Sequence, residues 1–222
     1  LPRLTHAIVT SRLTAGTLAR DFDLPEERIT LAYPGTDPAP LAQGSGSGVP
    51  VLLAVGTVMP RKDHAALVEA LGTLRGLPWR LRIVGNLARF PAVVAGLRAR
   101  AAALGIADRI ELAGELAPRV LAEAWRSADL VVSASRHEGF GMALAEGIAC
   151  GLPAVAVAAG AIPEWLMPDA ALLVPPSDPP ALAAALRAAI GDPELRRRLR
   201  MGALRLRAAL GSGFVIESDY EG

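Results

Sequence analysis

Cysteine is almost missing from these 222 residues: Cys150 is the only one. A single thiol excludes a disulfide framework and a thiolate metal cluster. Histidine is nearly as scarce, and His6, His64 and His137 leave little for a zinc site. No aspartate pair stands near a strand end, so no metal is expected. An excess of one charge sign is also lacking, with 23 basic residues against 22 acidic ones and a net charge of +1. That balance excludes the basic stripe of a nucleic-acid partner. A hydrophobic share of 52% excludes a charge-extended disordered chain. The first residues show no basic start followed by an apolar core. No signal peptide is expected, and a cytoplasmic setting follows.

Long apolar runs are missing too, despite a mean hydropathy of +0.36. Residues 147–163 form a charge-free stretch of seventeen, interrupted by Gly151, Pro153 and Gly160. A spanning helix needs ~20 mostly apolar residues. The stretch reads instead as a helix end, a turn and a buried strand. Lysine is the last scarcity: Lys62 stands alone beside 22 arginines. A coding bias toward arginine would produce this. Under such a bias the one ammonium is expected where a guanidinium fork will not serve.

Two regions are expected. Residues 1–48 hold a strand over 7–10, a helix over 14–22, a strand over 29–32 and a run of turn formers over 33–38. They close on Gln43-Gly44-Ser45-Gly46-Ser47-Gly48, a flexible linker by composition. Over 49–222 short apolar strands alternate with helices. Strands are expected at 51–55, 81–84, 110–113, 130–133, 154–157 and 171–174. Helices are expected at 65–74, 92–104, 120–127, 141–150, 180–190 and 193–210. Fully apolar strands between helices imply a doubly wound, Rossmann-like parallel sheet, an α/β fold. Ligands of such sheets bind beyond the carboxyl ends of the strands. Gly56, Gly85 and Gly114 follow three of those ends. Glycine there admits a close approach to backbone, and it also simply ends strands.

Two of these loops carry chemistry. In Gly56-Thr57-Val58-Met59-Pro60-Arg61-Lys62-Asp63-His64, two cations precede a helix that Asp63 can cap. Free helix amides and full positive charges suit a phosphate or diphosphate. The spacing is not that of a Walker loop. In Ser133-Ala134-Ser135-Arg136-His137-Glu138-Gly139-Phe140-Gly141, a carboxylate and exposed amides meet the start of a helix that carries Glu146. Carboxylates accept hydrogen bonds from hydroxyls, so a sugar or ribose diol is a natural ligand. Glu146 lies among Leu144, Ala145, Gly147, Ile148 and Ala149, a setting in which a carboxylate wants a partner. A glycosidase acid/base pair is the other use of two carboxylates, but a cationic diphosphate loop has no role in hydrolysing a plain glycoside. Cys150, in an apolar stretch, reads as inert core. His137 either orients Glu138 or a sugar, or is a solvated loop histidine.

Glu138-Gly139-Phe140-Gly141, with Glu146 eight residues after Glu138, resembles the E-x7-E motif of retaining glycosyltransferases of family 4. Those enzymes have the two-domain GT-B architecture. The resemblance runs from Val49 to about Ala209, through Gly56 and Lys62, Ile83-Val84-Gly85, Ala128-Asp129-Leu130, Gly160-Ala161-Ile162-Pro163-Glu164 and Leu173-Val174-Pro175-Pro176. It implies a donor-binding half in which Glu138 contacts the donor sugar and Glu146 holds the ribose. It gives Arg61 and Lys62 the diphosphate and its developing charge. The amides of Gly139, Phe140 and Gly141, with Gly56, line the donor, and Leu116 falls where the family reads the base. The implied substrate is a nucleoside-diphosphate sugar (UDP, GDP or ADP), with no cofactor. Thr57 stands where many members carry arginine, and Gly160-Ala161 replaces a frequent Gly-Gly. Ser212-Gly213-Phe214-Val215-Ile216-Glu217 matches nothing expected of the family.

Residues 1–37 resemble only the tail of the family's acceptor domain. The acceptor, whether glycan, lipid or small molecule, is therefore not readable. Peripheral membrane contact would come from the missing half. The expected activity is retaining sugar transfer, with this chain inactive alone. The alternative is a nucleotide-binding module that acts with a partner domain. A sugar-nucleotide epimerase on the same architecture fits the E-x7-E pattern less well.

Overall fold

The structure is a computed structural model, and it describes residues 4–211. The segment 212–217, unmatched above, lies outside them. A small unit comes first. Strands β1 (Ala7–Val9) and β2 (Ile29–Leu31) pair in parallel, and helix α1 (Arg12–Phe22) connects them. The rest builds one six-stranded sheet: β3 (Val51–Val55), α2 (His64–Gly72), β4 (Arg80–Val84), α3 (Pro91–Ala103), β5 (Ile110–Gly114), α4 (Pro118–Ser127), β6 (Leu130–Ser133), α5 (Met142–Ala149), β7 (Ala154–Val157), α6 (Ile162–Trp165), β8 (Ala171–Val174), α7 (Pro179–Gly191) and α8 (Pro193–Leu210).

The strand order is β5-β4-β3-β6-β7-β8, and every pairing is parallel. Both faces are covered, which is why the strands read as unbroken apolar runs. Along β3 the side chains alternate between the two cores. Leu52 and Ala54 join α2, α3 and α7, whereas Leu53 joins α4, α5 and α8. The chain leaves β3 toward β4 and β5, then crosses back to β6. The order therefore reverses between β3 and β6, and a crevice opens at their carboxyl ends.

Three features differ from expectation. The 43–48 segment is not a free tether. The amides of Gln43 and Gly44 donate to the Arg126 carbonyl at 2.7 and 3.2 Å. The Asp129 carboxylate takes the amides of Ser45 at 3.3 Å and Val51 at 2.8 Å. Helix α5 begins at Met142, because Gly141 is left-handed (φ 95°) and acts as its N-cap. The short helix α6 stands where no element was expected, with Pro163 in its first turn, where proline's missing N–H costs nothing. The charge-free stretch 147–163 becomes the end of α5, a turn, β7 and the start of α6. Among the described residues, no helix is long and apolar enough to cross a membrane.

Candidate functional site

The loops after β3 and β6 flank the crevice and are laced together. After β3 the chain folds over the end of β4. The Gly56 amide donates to the Val84 carbonyl at 2.8 Å, and a Cβ on Gly85 would lie 2.2 Å from the Gly56 carbonyl oxygen. Gly56 has a second role. A Cβ there would meet the Lys62 Cε at 3.0 Å, so its bareness leaves a path for the lysine stem. A tight turn at Pro60–Lys62 then delivers Arg61 and Lys62.

Asp63 adopts a left-handed conformation (φ 45°) and caps α2 by accepting from the Ala66 amide at 3.3 Å. It also takes the Arg136 guanidinium at 2.7 Å. The start of α2, expected to face a phosphate, is therefore occupied by Asp63. Behind it lies His64, buried, with Nδ1 unpartnered among the described residues. Burial and then the charge of Lys62 hold its imidazole down to about 4.

The loop after β6 is strapped to the first one. The Arg136 amide donates to the Arg61 carbonyl at 2.9 Å, and the Arg61 guanidinium donates to the His137 carbonyl at 2.5 Å. The His137 ring itself is exposed. Glu138 is buried, with Lys62 Nζ 2.6 Å from one carboxylate oxygen and the Arg61 guanidinium 3.6 Å from the other. Burial alone would raise its pKa. The hydrogen bonds from Lys62 and Ser135, with the charges of Lys62 and Arg61, outweigh burial and hold the carboxyl below its usual range.

Glu146, one turn into α5, is the opposite case. It is half-buried, no described protein group hydrogen-bonds its carboxylate, and burial raises its pKa. No side chain caps α5. Its first amides have no intrahelical acceptors, and Met142 and Ala143 both line the cleft. The helix end left open to this cleft is therefore that of α5.

Glu138, Lys62, Gly56, Gly139, Phe140, Gly141 and Glu146 border one open cleft of about 460 Å³, and Thr10 and Pro34 of the N-terminal unit also line it. Arg61 sits beside it, engaged by His137 and Glu138. The Phe140 ring is a core anchor. It stacks on Trp165 at 5.1 Å, and its carbonyl accepts from the Trp165 indole N–H at 2.7 Å. Leu116 is not brought to the cleft; it lies beyond β5, half-buried against the core under α4. Cys150 is buried, and burial raises its pKa, as befits inert core.

In the sequence Gly160 figures as a break in the charge-free stretch and as one half of a Gly-Ala pair. In the fold it is left-handed (φ 62°), and a Cβ would fall 2.0 Å from the Glu138 carbonyl oxygen. The Ala161 amide donates to that same oxygen at 3.0 Å. The backbone of Glu138 thus rests on Gly160, and a bare glycine after β7 was the available signal.

A family model described as Glycosyl transferases group 1 matches residues 41–205. The chain belongs to that family. The D-inositol 3-phosphate glycosyltransferase of Kineococcus radiotolerans is 35% identical over 217 residues, covering 84% of this chain and 49% of the relative. That of Xylanimonas cellulosilytica is 34% identical over 215 residues, covering 88% and 51%. This group 1 chain therefore spans about half the length of the curated relatives it matches.

Among solved structures, sucrose-phosphate synthase from Thermosynechococcus elongatus superposes with a TM-score of 0.81 at 28% identity, covering 93% of this chain and 55% of that one. Anabaena Alr3699/HepE, solved in complex with UDP and glucose, gives 0.83 at 21%, covering 95% and 59%. These neighbours are GT-B glycosyltransferases, and the group 1 chain shares the Rossmann-like architecture of that fold.

Proposed function

We propose that this chain carries the donor site of a retaining, family 4 glycosyltransferase, which moves a sugar from a nucleoside diphosphate to an acceptor. The observation that carries the reading is the unpaired, half-buried carboxylate of Glu146, in the same cleft as the cation-held Glu138. An unpartnered carboxylate there calls for hydroxyl donors, and the ribose diol supplies them. Glu138 then addresses the sugar. The diphosphate lies over Lys62 and the first amides of α5, with Arg61 adding charge. As the sugar–phosphate bond breaks, its electron pair stays on the diphosphate. Fixed positive groups absorb that charge, so no acid is needed to protonate the leaving group. Such stabilisation is commonly the largest single contribution to catalysis.

Residues 1–48 are read as the tail of an acceptor-side domain and 49–222 as the donor domain. The whole activity requires both halves, and the present chain alone is expected to bind donor and transfer little. A cytoplasmic setting fits use of a nucleotide sugar. The relatives' name makes D-inositol 3-phosphate the first acceptor to assay with a two-domain protein, where NMR of the product's anomeric carbon tests retention.

The direct test is calorimetric titration of this chain with UDP, GDP and ADP. Saturable binding of one of them, weakened at least tenfold by Glu146→Ala and by Lys62→Ala, is the expected result. A folded chain that binds none of the three overturns the reading.

A further inference from the structure

Glu164 lies in α6, outside the cleft, and the proposed transfer gives it no role. Its carboxylate reaches the N-terminal unit. One oxygen accepts from the Arg12 amide at 2.7 Å and the Tyr33 hydroxyl at 2.9 Å; the other accepts from the Leu13 amide at 2.8 Å. Arg12 and Leu13 carry the first two amides of α1, which have no acceptor within the helix. Thr10 lies just before α1, and Pro34 follows Tyr33 directly. These two residues are the part of the cleft wall contributed by residues 1–48. One side chain thus holds both points where the N-terminal unit meets the cleft.

The same short helix also grips the donor loop. Trp165 donates to the Phe140 carbonyl and stacks on its ring, and Ala161 donates to the Glu138 carbonyl. Tyr33 closes the circuit, with its ring 5.9 Å from that of Phe140.

We propose that Glu164 is a positioning residue that fastens the N-terminal unit across the cleft, and that this fastening is coupled to nucleotide occupancy through residues 138–141. The occupant is taken from the donor-site reading above, on which this inference rests. A ligand that settles the loop settles α6, and with it the grip on α1. Loosening Glu164 therefore frees the part of the wall that Thr10 and Pro34 supply and weakens binding at a distance.

The experiment follows amide hydrogen exchange by NMR at Arg12 and Leu13, in the wild type, Glu164→Gln and Tyr33→Phe. Each protein is measured free and with UDP, GDP or ADP, and affinities come from calorimetry. Glutamine keeps the shape but lacks the charge and the second oxygen acceptor. Exchange at Leu53 and Val131, in the sheet core, reports whether each variant is folded.

In the free protein, Glu164→Gln is expected to speed exchange at Arg12 and Leu13 at least tenfold, and Tyr33→Phe less. Nucleotide should slow these two amides severalfold in the wild type and not in Glu164→Gln, whose affinity drops severalfold. A merely structural cap would lower stability without moving affinity or the nucleotide effect. Equal affinity in wild type and Glu164→Gln, with no response of the two amides to nucleotide, overturns the proposal while leaving the donor site standing. Binding of none of the nucleotides by the folded wild type removes the donor-site reading and the coupling together.

Discussion

Gly160→Ala is the sharpest test of how the site is held. The added Cβ would lie 2.0 Å from the Glu138 carbonyl oxygen and 2.7 Å from its amide nitrogen. Both are backbone atoms, so no rotamer change relieves the contact. The residue must also keep φ near 62°, which costs an alanine roughly 1–2 kcal/mol. Overpacking against atoms that must shift adds roughly 1–3 kcal/mol. Together the change should destabilise the protein by roughly 2–5 kcal/mol. For a domain of this size that lowers Tm by at least about 4 °C.

The assay is urea unfolding followed by tryptophan fluorescence, since Trp79, Trp125 and Trp165 are all buried. Gly139→Ala is the internal control. Its Cβ meets nothing within 4 Å, and its φ is not left-handed, so it should stay within about 0.5 kcal/mol of the wild type. Nucleotide binding should fall in Gly160→Ala, because moving the Glu138 backbone displaces Gly139, Phe140 and Gly141, which line the cleft. An unchanged urea midpoint for Gly160→Ala would refute the claim that this glycine carries the loop.

Glu138→Gln removes the carboxylate that neutralises Lys62 and Arg61 in the free protein. It should tighten UDP binding about tenfold, ~1.4 kcal/mol and near the low end for a charged hydrogen bond, while transfer by a two-domain enzyme falls; weaker binding would show that the diphosphate does not compete with Glu138. His64 is kept neutral by burial, with a pKa of about 4 against an ordinary 6.5. The unfolded chain therefore binds the extra proton, so this contribution to stability is complete above about pH 6.5 and lost as the pH falls toward 4. Between pH 7 and pH 5 the loss is about 2 kcal/mol, and His64→Gln should remove that part of the slope. Parallel urea midpoints for the two proteins across this range would exclude a titrating His64.

The strands were legible because a parallel sheet buried on both faces requires unbroken apolar runs, such as Val51–Val55 and Leu130–Ser133. Most helices were legible from periodicity and their prolines. Helix α6 was not, because four residues carry no period and Pro163 reads as a breaker. What holds it is tertiary: the bond from Trp165 to Phe140, and Glu164 on α1. The E-x7-E spacing was local and therefore visible. The contact of Lys62 with Glu138 joins residues 76 apart and depends on β3 lying beside β6. Of the two helix starts expected to offer free amides, the fold leaves only that of α5 without a side-chain cap. Asp63 before α2 and Gly141 before α5 share left-handed backbone angles, and the side chain separates them: Asp63 accepts from the Ala66 amide and fills its own helix end, while Gly141 leaves its end open.

The lone lysine acquires its explanation from the same geometry. Its Cε would lie 3.0 Å from a Cβ on Gly56, its side chain is 17% exposed, and its nitrogen ends 2.6 Å from Glu138. A guanidinium is broader and needs a planar approach, whereas the lysine stem uses the space that a Cβ on Gly56 would crowd. Arg61, one residue earlier and 42% exposed, reaches round the loop to the His137 carbonyl. In a chain that otherwise uses arginine for every basic position, the compact cation stands where Gly56 leaves its stem room. At that point the free protein holds its charge against Glu138, and a diphosphate would have to take it over.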